Sequence, residues 1–282
     1  MAALKHMLLQ LLTVTVAAYA IVVLFTWLTQ DRLIYFPQIS GIAKLTPAQV
    51  KLPFEELRIA TVDGETLAAW WVPAAASRGV VLLFHGNAGS IADRIDYLPH
   101  FHAMGYAVLL VDYRGYGASS GKPTEQGTYL DAQAAWEWLT VTRGINPGAI
   151  VLAGESLGGA VAAELAARVQ PRALLLISTF TSVPDLGSEI YPWLPVRLIS
   201  RYRYDTLSHL RNYRGPVLIA HSRDDEIVPF AHGERLFAAA PGDKSMLEMR
   251  GGHNDSFLFS QPPWVRTVGD FLAHHAASAK NQ

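Results

Sequence analysis

Five short runs of Val, Leu and Ile, none interrupted by a polar residue, set the fold class. They are Val80–Phe84, Ala107–Val111, Ile150–Ala153, Leu174–Ile177 and Val217–Ala220, with a sixth run, Met246–Met249, near the end. A strand with one wet face alternates apolar and polar residues, so runs without alternation are strands covered on both faces. Longer Ala-rich amphipathic segments lie between them, at about Ile91–Met104, Glu125–Val141, Leu157–Val169, Phe230–Ala239 and Trp264–His275. Buried strands alternating with helices predict an α/β fold, a mostly parallel central sheet with helices on both faces. Ahead of it, Glu55–Thr61 and Thr66–Val72 read as a hairpin turning at Asp63-Gly64, which adds an antiparallel edge. Function in such a sheet belongs at the C-terminal ends of the strands. Ser178 to Arg214 breaks the rhythm, and this long, Pro-interrupted, aromatic stretch reads as a cap inserted over the site.

The 282 residues, 50% hydrophobic and 17% charged, suit one substantial domain or two small ones and exclude a disordered chain. With 23 basic and 24 acidic side chains the net charge is −1, so no overall field draws the chain to nucleic acid. Cysteine is absent, which excludes a thiol nucleophile, disulfides and thiolate metal sites.

From Met7 to Gln30 no charged residue occurs, and the run is long enough to cross a bilayer once, about 30 Å at about 1.5 Å per helical residue. A cleaved signal peptide is the rival, because Lys5 gives a basic start and Ala18-Tyr19-Ala20 resembles a cleavage site. Cleavage there would leave Ile21–Leu28 as a bare apolar end, so an uncleaved single-pass anchor is the reading taken. Trp27, Tyr35 and Phe36 stand where an interfacial aromatic belt would lie, or where aromatics would pack on the domain. The flanking charges, Lys5 and the α-amino group against Arg32 and Lys44, are nearly balanced. They are read with the N-terminus inside and the following domain on the non-cytoplasmic face.

Gly154-Glu155-Ser156-Leu157-Gly158 matches G-x-S-x-G, in which a sharp strand-to-helix turn holds a serine hydroxyl clear of its neighbours. Gly117-Ala118-Ser119-Ser120-Gly121 matches equally well. Ser156 follows an apolar run and opens a helical pattern, whereas Ser119 lies in a Gly-rich loop before Pro123 and reads as a turn residue. For Ser156 the alternative role is a helix N-cap. A nucleophilic serine needs a histidine to take its proton and a carboxylate to orient that imidazole. His253, in Gly251-Gly252-His253-Asn254 after the last strand, is the best placed histidine; His221 and His232 are rivals, one ending a strand and the other within a helix. The acid comes from the loop after the preceding strand, where Asp224, Asp225 and Glu226 stand side by side and spacing alone leaves the choice open. Backbone N–H groups of Leu157 and Asn87, the latter in His85-Gly86-Asn87-Ala88-Gly89, are the candidate oxyanion donors. Gly117–Lys122 lacks the spacing of a phosphate loop, and His100 and His102 lack metal-ligand spacing. No metal or cofactor site is expected.

Together with Tyr35-Phe36-Pro37, Asp112-Tyr113-Arg114-Gly115-Tyr116-Gly117 and Val228-Pro229, these motifs resemble the α/β-hydrolase superfamily. The likeness is to its membrane-anchored serine-hydrolase branch, the bud-emergence-type and depalmitoylase-like domain proteins. That family's catalytic Asp stands three residues before the Val-Pro pair, which selects Asp225; Ser222 replaces a usual Gly. The chain thus divides into an anchor at residues 1–30, a connector at 31–51 and a hydrolase domain at 52–282, with the cap insertion at about 179–214. The resemblance implies hydrolysis of esters or thioesters, often of lipids, without cofactor or metal. Serine peptidase activity and a silent lipid- or protein-binding role are the competing functions. In the cap, Tyr191, Trp193 and Leu194 form an apolar lip, followed by Arg197, Arg201, Arg203, Arg211 and Arg214. This suits an acyl chain with an anionic head group near a membrane surface, and equally a cap helix whose apolar residues pack on the sheet while its arginines are solvated.

Overall fold

The computed structural model describes residues 1–37, 45–255 and 257–277. Lys44 and connector positions 38–44 lie outside the described residues. The chain forms one eight-stranded sheet of order β1-β2-β4-β3-β5-β6-β7-β8. The strands are β1 Glu55–Ala60, β2 Thr66–Val72, β3 Gly79–Phe84, β4 Tyr106–Val111, β5 Ile150–Glu155, β6 Ala173–Ile177, β7 Val217–Ser222 and β8 Lys244–Met249. From β4 to β8 all neighbours are parallel, while β1–β2 and β2–β4 are antiparallel, the edge the hairpin signal anticipates. The helices are α1 Ala2–Leu28, α2 Gln30–Ile34, α3 Tyr97–Ala103, α4 Glu125–Glu137, α5 Leu157–Val169, α6 Val183–Ile190, α7 Val196–Ile199, α8 Thr206–Asn212, α9 Phe230–Ala239 and α10 Pro262–Ala277.

Strand periodicity sends alternate side chains into two separate cores. Val80, Leu82 and Phe84 join α4, α5, α8 and α9 on one face. Val81 and Leu83 join α3 and α10 on the other. Both faces are therefore covered, as the unalternated runs require. The chain leaves β3 toward β4 on one side and returns to β5 on the other, so the C-terminal ends of β3 and β5 flank the switch point, where such sheets open a crevice. Phe84 at the end of β3 is in register with Gly154 of β5.

Two predicted helices differ from expectation. Ile91–Met104 is broken into a 3₁₀ turn, Ile91–Arg94, and α3. Pro99 explains the break: it has no N–H for an intrahelical bond and is tolerated only in a first turn, so the helix restarts at Tyr97. Ser90 closes the 3₁₀ turn through a capping box, its N–H donating to Asp93 Oδ2 over 2.7 Å. The Glu125–Val141 helix ends at Glu137 and continues as a π turn, Trp138–Thr142, whose Trp138 packs edge-on to Trp71 with centroids 5.7 Å apart.

Helix α1 buries no side chain and is long and apolar enough to cross a membrane. The segment after it packs on the domain. Tyr35 is buried, edge-on to Tyr202 at 5.6 Å, with its hydroxyl 2.8 Å from that of Tyr204. It therefore belongs to the core and not to an interfacial belt, whereas Trp27 remains exposed.

Candidate active site

The turn out of β5 is built from small residues because backbone meets backbone there. A Cβ on Gly158 would stand 2.6 Å from the His85 carbonyl oxygen and closer still to that of Phe84. A Cβ on Gly159 would meet the Thr179 side chain at 2.6 Å. Between these glycines and Gly154, Ser156 adopts φ 52°, ψ −116°, a conformation that L-residues avoid and that persists only where the surroundings enforce it. Its N–H donates to Ile177 O over 2.8 Å, and its carbonyl accepts from Thr179 Oγ1 over 2.7 Å.

Ser156 precedes α5 but its side chain caps nothing, which removes the N-cap alternative. Instead its Oγ lies 3.3 Å from His253 Nε2. His253 Nδ1 lies 2.7 Å from Asp225 Oδ2. The other Asp225 oxygen accepts the Ile227 N–H at 3.0 Å and the Val228 N–H at 2.7 Å, so the Val-Pro turn fixes the carboxylate. Burial alone would raise the Asp225 pKa. Hydrogen bonds from His221, His253 and the Val228 N–H outweigh it and hold the carboxyl well below the usual carboxylate range.

Of the other two acids, Asp224 faces Arg250 at 3.2 Å and Glu226 Oε2 accepts the His253 backbone N–H at 3.0 Å. Among the described residues neither rival histidine bonds to Ser156: His221 Nε2 is 2.8 Å from Val228 O and 3.5 Å from Asp225 Oδ2, so it buttresses the carboxylate, and His232 Nδ1 is 2.9 Å from Thr181 Oγ1. Ser119 is a turn residue, accepting from Ala68 N and donating to Asp112 O, both at 2.8 Å.

Asn87 and Leu157 border the same cavity as Ser156, and among the described residues neither backbone N–H has a protein acceptor. The Asn87 amide is otherwise engaged, donating to Ile34 O over 2.8 Å. The loop that carries Asn87 is clamped by the Asp112–Gly117 motif. Tyr113 OH donates to His85 O at 3.0 Å and Tyr116 OH to Asn87 O at 2.8 Å. Arg114 meanwhile ties the motif to Asp131 of α4 and Asp63 of the hairpin turn, at 2.8 and 2.7 Å. Beneath the loop, Asp112 accepts the Ile91 N–H at 2.8 Å and lies 3.5 Å from His85 Nε2. Burial pushes Asp112 up to about 7 and His85 down to about 3, so the His85 imidazole is neutral.

The cavity over Ser156 measures about 620 Å³, within the range of small-molecule sites. Phe180, Val183, Leu186, Leu194 and Val228 make it largely apolar, and Tyr191 and Trp193 stand at its lip. None of the five cap arginines lines it; Arg197 pairs with Asp185 at 3.0 Å and Arg201 with Asp31 at 3.4 Å. Among the described residues the cap arginines therefore give the cavity no basic side, as the reading of them as solvated expects. In its place stands Arg94, which no spacing in the sequence announces. Arg94 Nη2 is 2.8 Å from Glu155 Oε1, and Tyr97 OH donates to Glu155 Oε2 at 2.9 Å. A second, polar recess of about 300 Å³ adjoins the first at His253 and Asn254, bordered by Asp93, Arg94 and Asp96.

A sharp serine turn after β5, an acid after β7 and a histidine after β8 follow one another in the chain order Ser…Asp…His. Residues 79–205 match the family model described as the alpha/beta hydrolase fold. The protein bem46 of Schizosaccharomyces pombe is 33% identical over 89% of this chain and 88% of its own length. The chain belongs to the α/β-hydrolase family. Within that family it stands with the bud-emergence-type branch, since the human alpha/beta hydrolase domain-containing protein 17B is also 33% identical, over 71% of this chain and 69% of its own. Among solved structures this hydrolase superposes on a Pyrococcus furiosus esterase with a TM-score of 0.70, covering 86% of this chain and 97% of that one, at 22% identity, a likeness of fold.

Proposed function

We propose that this α/β hydrolase is a membrane-anchored serine hydrolase that cleaves carboxylic esters or thioesters of acyl chains. The observation that carries the reading is the run of contacts Asp225–His253–Ser156, 2.7 and 3.3 Å long, opening into an apolar cavity. His253 Nε2 takes the proton from Ser156 Oγ as that oxygen bonds to the acyl carbonyl carbon, and Asp225 holds the imidazole by its Nδ1–H and stabilises the imidazolium. The N–H groups of Asn87 and Leu157 receive the charge that develops on the carbonyl oxygen, each worth about 2.7–4 kcal/mol in the transition state. Collapse expels the leaving alkoxide or thiolate with the proton from His253. Water, deprotonated by the same imidazole, then releases the acid and restores Ser156. The apolar cavity suits the acyl chain. The polar recess, which carries the carboxylates of Asp93 and Asp96 beside Arg94, suits an uncharged or cationic leaving group better than an anionic one.

Helix α1, which buries no side chain and carries no charged residue from Met7 to Leu28, supports the anchor. The test is a chain-length series of esters and thioesters given to the full-length protein and to its Ser156→Ala variant. Turnover that rises with chain length and vanishes in the variant is expected. Turnover that survives the substitution, or that is confined to amides, would refute it.

A further inference from the structure

The cavity over Ser156 is not closed by the hydrolase fold alone. Thr26 of α1 and Gln30, Leu33 and Ile34 of α2 form one of its walls. That wall is seated specifically. The Gln30 side chain, buried at the junction, donates to Ile199 O and accepts from Arg201 N, both at 2.8 Å, so one amide satisfies both backbone groups at the end of α7. Arg201 also lies over the Trp27 ring, 5.5 Å from its centroid.

Helix length fixes where the mouth lies. With 27 residues, α1 is about 40 Å long, against about 30 Å of hydrocarbon core. At most about 10 Å of it can project from the core on the domain side. Tyr19 precedes the helix end at Leu28 by nine residues, which is about 13 Å. Even at that extreme, the contact between Tyr19 OH and Trp193 O falls inside the hydrocarbon. The cap around it is dressed accordingly: Trp193 is 58% and Leu198 87% exposed, with Ile190 and Tyr191 at 45% each, a patch that water disfavours and lipid accepts.

We propose that the cavity opens sideways into the bilayer between α1/α2 and the cap, and that the fatty acyl chain of a membrane-resident ester or thioester passes from the leaflet to Ser156 along the Thr26–Leu33 wall. The anchor is then part of the acyl site and not only a tether. The inference rests on the reading of α1 as a membrane span and of Ser156 as the nucleophile. It sets the substrate class as long acyl chains already in the membrane.

The experiment uses the full-length protein in phosphatidylcholine vesicles with p-nitrophenyl acetate and p-nitrophenyl palmitate as probes. Thr26→Trp and Leu33→Trp narrow the wall. The ratio of palmitate to acetate kcat/KM is expected to fall at least tenfold in each, since every methylene kept from an apolar site forfeits about fourfold. An unchanged ratio in both variants, with acetate still turned over, overturns the inference and leaves the hydrolase reading intact. No turnover of either ester by the unsubstituted protein overturns both. A second measurement needs no wall variant: vesicles of dibrominated phosphatidylcholine quench Trp193, so Trp193→Phe loses part of the quenching seen in the unsubstituted protein. Equal fractional quenching in the two proteins counts against the immersed mouth.

Discussion

Gly158 is the point at which α5 rests on the end of β3, and the substitution Gly158→Ala measures how closely the geometry around Ser156 is held. The added Cβ would stand 2.6 Å from His85 O and nearer to Phe84 O, whereas real Cβ contacts essentially never fall below 3.0 Å. Both neighbours are backbone at the end of a central strand and cannot rotate away. The start of α5 must retreat by roughly half an ångström or more, carrying the Leu157 N–H and Ser156 with it, where sites are held within about 0.5 Å of productive geometry. A displacement of 1 Å costs about 100-fold in rate, so kcat/KM for a short ester is expected to drop by roughly 10–100-fold. Overpacking of this kind lowers stability by about 1–3 kcal/mol. Gly269→Ala is the control: it lies in α10, where a Cβ meets only Met104 Cε at 3.9 Å, and removing helical glycine entropy raises stability by about 0.5–1 kcal/mol. Ester kinetics and thermal unfolding of both variants, in detergent micelles, decide the matter. Gly158→Ala with kcat/KM within threefold of the unsubstituted protein would refute the close-packed turn as the device that places Ser156.

Asp225→Asn preserves the shape of the side chain but removes the charge that stabilises the His253 imidazolium. Ester kcat is expected to fall by about 10³–10⁴-fold, and a loss below tenfold would assign the role to Glu226 or Asp224. Asp112 gives a pH signature. Its folded pKa, about 7, exceeds the ordinary carboxylate value, so the folded state holds an extra proton between about pH 4 and 7, and stability from this group declines as pH rises through that window. From pH 5 to 8 the decline is about 2–3 kcal/mol, absent in Asp112→Asn, which keeps an acceptor for the Ile91 N–H. Unfolding curves of the two proteins at both pH values that run parallel would contradict the buried, protonated carboxyl.

What the sequence revealed and what it hid divide along a physical line. Strands buried on both faces and the small-residue turn around Ser156 impose local patterns, and each was readable, as was the hairpin at Asp63-Gly64. His253 follows from a Gly-rich loop after the last strand. Asp225 does not follow from residues alone, because Asp224 and Glu226 are its neighbours; what separates them is the orientation of the Ile227 and Val228 N–H groups, a three-dimensional fact that the family resemblance carried. The break before α3 was signalled by Pro99 but masked by the apolar periodicity around it. Arg94 and the α1/α2 wall left no signal. A lone arginine in an amphipathic segment looks like any solvated cation, and Gln30 reads as the polar end of an apolar run until its two backbone partners, some 170 positions away, are seen.

The most direct measurement is the mass of the full-length protein and of its proteolytic fragments after exposure to a fluorophosphonate. A single adduct on Ser156, formed rapidly by the unsubstituted chain and at least 100-fold more slowly by His253→Ala, is the predicted result. A folded protein that takes up no adduct, or carries it on a serine other than Ser156, would contradict the assignment of nucleophile and base on which the rest depends.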